Sequence, residues 1–167
     1  DLAVKKKAPD LVGQLQKSGV KVVGVLPFRI QVGDAKPSFE VSTLNAELTG
    51  LVENALILNL TDREELTLVR DVAATADRAK VGDWLSDPKE RDKLFAAEFR
   101  CAWGSGKKKV DGLVTGDLKL SKDLAKATLT VELFSAREPE KSRQLAAIDF
   151  KTDAALLTDL GRDFNLR

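Results

Sequence analysis

The stretch Val20-Lys21-Val22-Val23-Gly24-Val25-Leu26-Pro27-Phe28-Arg29-Ile30 decides how the rest of the chain is read. Val22, Gly24, Leu26, Phe28 and Ile30 share one face at the two-residue period of a β-strand, and Val23 and Val25 make the opposite face apolar as well. A strand that is apolar on both faces belongs at the centre of a covered sheet. Pro27 has no amide donor, so the strand is expected to leave its ladder near that point.

On the N-terminal side, residues 1–7 with Lys5-Lys6-Lys7 read as a flexible basic lead-in. Ala8-Pro9-Asp10 followed by Leu11, Val12 and Leu15 predicts a short helix closing at Gly19. Residues 1–19 are thus a lead-in to a single α/β domain over 20–167. On the C-terminal side, 31–41 carries Gly33, Asp34, Lys36 and Pro37 and reads as a loop. Ser42 or Thr43 caps the next helix, expected to be the longest, with Leu44, Leu48, Leu51, Ala55 and Leu58 at helical spacing. A turn at 61–65 leads to a strand at 66–71, and Val72–Lys80 is Ala-rich and helical. Asp87-Pro88-Lys89-Glu90 starts another helix, whose buried stripe is Leu94, Phe95 and Phe99. Gly104-Ser105-Gly106 with Lys107-Lys108-Lys109 reads as a flexible loop.

The last third changes period. Residues 111–120, 126–134 and 143–151 alternate, with Gly112, Val114, Gly116, Leu118 and Leu120 on one face. Ala127, Leu129, Val131 and Leu133 form a second such row, and Ala146, Ile148 and Phe150 a third. Short polar connections make these an antiparallel meander. Asp153 starts a final helix with Leu156, Leu157 and Leu160. The whole is an α/β domain, a two- or three-layer sandwich. Its mixed sheet has about five strands in β-α-β-α-β-β-β-α order, with helices packed on it.

Three of these segments together resemble a group of bacterial envelope domains. Val22–Phe28 is similar to the group's opening strand, Leu66–Asp71 to a later strand, and Val110–Leu118 to the strand that opens its meander. The group comprises CsgG, LpoB and the N-terminal domain of TolB, with an anticodon-binding-domain-like α/β fold. The resemblance spans roughly residues 20–152. It implies a periplasmic or otherwise extracytoplasmic domain that works by binding other proteins. Segment 72–106 is longer and more charged than in the group, and the acylated N-terminal cysteine of its lipoprotein members has no counterpart. Lipid anchoring and pore formation are therefore not carried over.

Composition narrows the function further. Hydrophobic residues at 43% and charged ones at 32% make a globular chain. A net charge of +1 gives no field that would point to nucleic acid or a membrane surface. No apolar run reaches the ~20 residues of a membrane helix. A start at Asp1 without Met or a signal-like segment fits a processed or trimmed chain, so it does not argue for the cytosol. With no His, triads that need imidazole are excluded, as are zinc sites that need it. The lone Cys101, between Phe99 and Trp103, reads as a buried small hydrophobe. Asp111 and Asp117, six positions apart on one strand, lie roughly 20 Å apart by the strand rise and form no paired acid–base site. No cofactor and no metal are expected.

The leading expectation is thus a non-enzymatic envelope module that binds an unidentified protein, using 72–106 and loop 31–41. Trp84, Leu85 and Arg29 are its candidate contact residues. A second reading, from another class, is a small-molecule or nucleotide-binding domain with its site near Phe28–Asp34 and Lys107–Lys109. A third is a hydrolase with a carboxylate site.

Overall fold

A computed structural model describes residues 2–60, 66–78, 80 and 83–159. In chain order it comprises α1 (Leu2–Lys17), β1 (Val22–Val32), α2 (Leu44–Asn59), β2 (Thr67–Leu68), α3 (Val72–Arg78) and α4 (Pro88–Ala96). There follow β3 (Glu98–Arg100), β4 (Lys107–Lys109), β5 (Gly112–Leu120), β6 (Lys126–Ser135), β7 (Glu138–Lys151) and α5 (Ala154–Asp159). The main sheet has the order β2-β1-β5-β6-β7. β1 is parallel to both β2 and β5, and β5, β6 and β7 form the expected antiparallel meander. The three segments that resemble the envelope domains are therefore three adjacent strands. Residues 61–65, Leu160 and Gly161, where a turn and a helix end were expected, lie outside the described residues.

β1 is the central strand, but Pro27 does not end it. The register slips by one residue between Val25 and Phe28, a β-bulge, and pairing with β5 then continues to Val32. The slip reverses the side-chain parity. Val23 and Val25 before the bulge and Phe28 and Ile30 after it all enter one core, and Leu26 enters the other. The single row of five predicted for β1 is thus split by Pro27. Side chains satisfy the backbone here: the Thr115 hydroxyl donates to the Pro27 carbonyl at 2.8 Å, and the Phe28 amide donates to the Thr49 hydroxyl at 3.3 Å. Buried Asn45 donates to the carbonyls of Phe28 and Ser38 and accepts from the amides of Val41 and Ser42. It ties loop 33–43 to the strand edge.

The larger core lies between the sheet and the pair α1 and α2. α1 starts at Leu2, so the expected flexible lead-in is helical. Val4, Ala8, Leu11, Val12 and Leu15 form one buried stripe, of which Val4 is the first turn, while Lys5, Lys6 and Lys7 face solvent. Pro9 therefore lies inside the helix rather than at its start. Gly19, at φ +78°, closes it, donating to the carbonyl of Gln16. α1 and α2 are both 16 residues long, so α2 is not the longer. Its buried face is Leu44, Leu48, Val52, Ala55 and Leu56, whereas Leu58 is 76% exposed and is no part of the stripe.

The opposite sheet face is covered at one end only. There α3, α4 and the antiparallel ribbon β3–β4 pack on Leu26, Leu113 and Phe134. The lysine triplet 107–109 is strand β4, not a loop, and its three side chains are exposed. Phe99 is buried as expected, but from β3, because α4 has already ended at Ala96. Where this second layer is present the domain has three layers; elsewhere it has two.

Gly116 has a steric reason. A Cβ there would fall 1.9 Å from the Thr130 carbonyl oxygen and 2.7 Å from the Phe28 ring. Gly116→Ala is expected to cost about 3 kcal/mol. Gly50, in α2 with nothing within 4 Å of such a Cβ, gives the opposite sign. Gly50→Ala is expected to stabilise by about 0.5–1 kcal/mol through helix propensity. Urea denaturation of the two variants checks both.

Candidate functional site

The two segments singled out for partner binding meet in space. Phe39, on loop 33–43, packs against Trp84 in a tilted contact with ring centroids 5.4 Å apart and planes at 53°. Trp84 itself is buried at 7% exposure and belongs to the second core, and Leu85 is half-buried against it. The exposed apolar groups beside them are Phe39 and Val41, at 36% and 38%. Trp84 therefore anchors the surface and Phe39 presents it.

Arg91 fixes this anchor. It is 2% exposed, and every hydrogen bond described for it runs to a carbonyl: Trp84 and Leu85 at 2.7 Å each, and Pro139 at 2.8 Å. Its guanidinium sits 4.1 Å from the centroid of the Phe134 ring. Burial lowers its pKa, opposed by nearby Asp87, Asp92, Asp83 and Glu140, which favour the cation. One buried cation thus links turn 84–86, α4, the start of β7 and the sheet. Asp87 caps α4 as expected, accepting from the Lys89 amide at 2.9 Å, with Pro88 first in the helix.

Arg29, the third candidate, is engaged elsewhere on the same sheet face. Its Nε and Nη2 donate to the two carboxylate oxygens of Asp117 at 2.6 and 2.7 Å, a bidentate pair across β1 and β5. Glu132 on β6 lies on the same face, opposite Thr115 and diagonal to Asp117. Desolvation raises its pKa, helped by the Asp117 charge and opposed by Arg29. Thus Asp117 is neutralised by an arginine. Asp111 is spent on backbone, accepting from the amides of Lys21 and Val22 at 3.0 and 2.8 Å. No cluster of three or more metal-ligating side chains occurs among the described residues.

The nucleotide reading placed a site near Phe28–Asp34 and Lys107–Lys109. The structure puts the lysines in the β3–β4 ribbon and Arg29 in an ion pair, and the apolar cavity between α1, α2 and the sheet is lined by neither.

No protein-family model and no curated protein sequence matches the chain. Solved structures share its α/β architecture. The LpoB C-terminal domain from Escherichia coli is similar at a TM-score of 0.50 and 14% identity, covering 87% of this chain and 95% of that one. The same domain from Salmonella enterica is similar at 0.48 and 12%, covering 88% and 95%. At these identities the likeness concerns the fold. It supports an LpoB-like fold, not CsgG or TolB in particular.

Two predictions follow from the charges. Arg91→Met strands three carbonyls and is expected to cost about 3 kcal/mol, with a red shift of Trp84 fluorescence and partial rescue in Arg91→Lys. For Glu132 the folded pKa is raised from 4.5, so its contribution to stability is fully present below the unfolded value and is lost as pH rises through the folded one. Glu132→Gln should therefore be more stable than wild type at about pH 7 and should lose less stability between about pH 4 and pH 7 in urea titrations.

Proposed function

We propose that this chain is a non-enzymatic, extracytoplasmic module of the bacterial envelope that binds a protein partner through Phe39, Val41 and the Trp84–Leu85 turn. The observation that carries this reading is the tilted Phe39–Trp84 ring contact. It makes one rigid apolar surface from two irregular segments, and the buried Arg91 beneath holds the turn in place. Aromatic side chains seated on a packed base are the type enriched at interface hot spots. The fold likeness to LpoB and the three adjacent strands that resemble its group support the envelope setting. The carboxylates nearest to acid–base roles are committed to an arginine and to backbone amides, which favours binding over hydrolysis.

The test uses exposed positions, because truncating Trp84 would also remove core. Phe39→Ser/Val41→Ser is compared with wild type by photo-crosslinking from position 40 in an envelope fraction. One protein captured by wild type and lost in the variant, with the melting temperature unchanged, is the expected outcome. Equal capture by both, or none by either, would sink this reading of the surface.

A further inference from the structure

The fold contains a second feature that partner binding leaves unused. Where the first turns of α1 and α2 diverge over the far end of the sheet, a cavity of about 510 Å³ opens into the larger core. Its floor is Leu118, Leu129 and Leu48, the first two fully buried, and Phe150 forms one wall. α5 flanks the mouth with Ala155 and Leu156. Sites that hold small ligands span roughly 300–1,000 Å³ and are mainly apolar with a few convergent polar groups.

The polar groups stand at the rim, and they carry both signs. Lys6 and Glu47 come from α1 and α2, and Lys151 and Asp153 from the end of β7 and the start of α5. Asp153 is committed to α5, accepting from the Leu156 amide at 2.8 Å. The side chains of Lys6, Lys151 and Glu47 have no ion-pair or hydrogen-bond partner among the described residues. An apolar chamber under a rim with two unpaired ammonium groups and one unpaired carboxylate is complementary to an amphiphile with an anionic and a cationic group at one end. A purely anionic ligand would meet Glu47 and Asp153, and an uncharged one would leave the lysines unanswered.

We infer that this cavity is a binding site for a single acyl or alkyl chain whose head group is zwitterionic. The chain enters between α1, α2 and α5, its anionic group lies between Lys6 and Lys151, and its cationic group faces Glu47. This site is independent of the Phe39–Trp84 surface, so its failure would leave the partner reading untouched.

The probe is dodecylphosphocholine below its micelle-forming concentration, titrated by calorimetry and by amide chemical shifts. Saturable one-to-one binding is expected, with shifts confined to residues of the cavity. Ala155→Trp fills the mouth from an exposed position, and Ala3→Phe fills it from α1; at least one should stay folded and bind about tenfold more weakly, a difference of 1.4 kcal/mol. Lys6→Gln/Lys151→Gln should weaken binding by a similar factor, and Glu47→Gln should shift the preference towards dodecanoate. Absence of saturable binding would overturn the proposal. So would affinity unchanged in both filling variants, or a protein that sediments with phosphatidylethanolamine vesicles but takes up no free amphiphile.

Discussion

Pro27 removes one hydrogen-bond donor from the middle of the central strand, and the rest of the domain is arranged around that loss. A regular ladder cannot pass through a proline, so β1 takes one extra residue against β5 and resumes with opposite parity. The large side chains on both sides of the proline, Val23, Val25, Phe28 and Ile30, then enter the same core under α1 and α2. Leu26, the residue at the bend, is left to the other face, where it joins Leu113 and Phe134 as the floor of the second layer. Asn45 and Thr49 from α2 supply the polar groups that the open edge of β1 lacks, so the bulge also sets where α2 and loop 33–43 can lie. The Phe39–Trp84 surface is a downstream result of this arrangement.

Much of the fold could be read from the residues because its signals are local. The meander faces of β5 and β6 follow from alternation, as does the end of β7 beyond its bulge at Leu145, and the start of α4 follows from Asp87-Pro88. Parity in β1 could not be read in the same way. A proline announces that a ladder is disturbed, but whether the strand ends or bulges depends on what a neighbouring strand offers, here the Thr115 hydroxyl. The N-terminal helix was underestimated for a different reason. Three lysines in succession look like a tail, and the one signal against this was Val4, a turn ahead of Ala8. The lysines at 107–109 misled in the same manner, because their strand is specified by pairing with 98–100 rather than by any apolar row of their own.

The candidate surface was legible in outline and not in mechanism. Its two segments stood out as irregular, and Trp84 as an aromatic in a charged setting. The contact that joins them and the arginine that holds them could not be foreseen. Arg91 lies in a run of alternating charges, Lys89-Glu90-Arg91-Asp92-Lys93, that reads as a solvated helix face. Its burial is decided by carbonyls of residues 84, 85 and 139, the last of them 48 positions away. Arg29 shows the reverse: the sequence offers it as a contact residue, and its partner Asp117, 88 positions away, is visible only through the β1–β5 register.

Among the described residues β7 closes the sheet, with β6 on one side and no further strand beyond it. A margin of this kind is a template on which another chain could continue the ladder. The first half of β7 answers this with Glu138, Glu140, Lys141 and Arg143, all exposed. Charges of both signs along an unpaired margin favour hydration over stacking, and they make an identical neighbour a poor match in most registers. The domain can thus be crowded with copies of itself without the sheets fusing into a fibre.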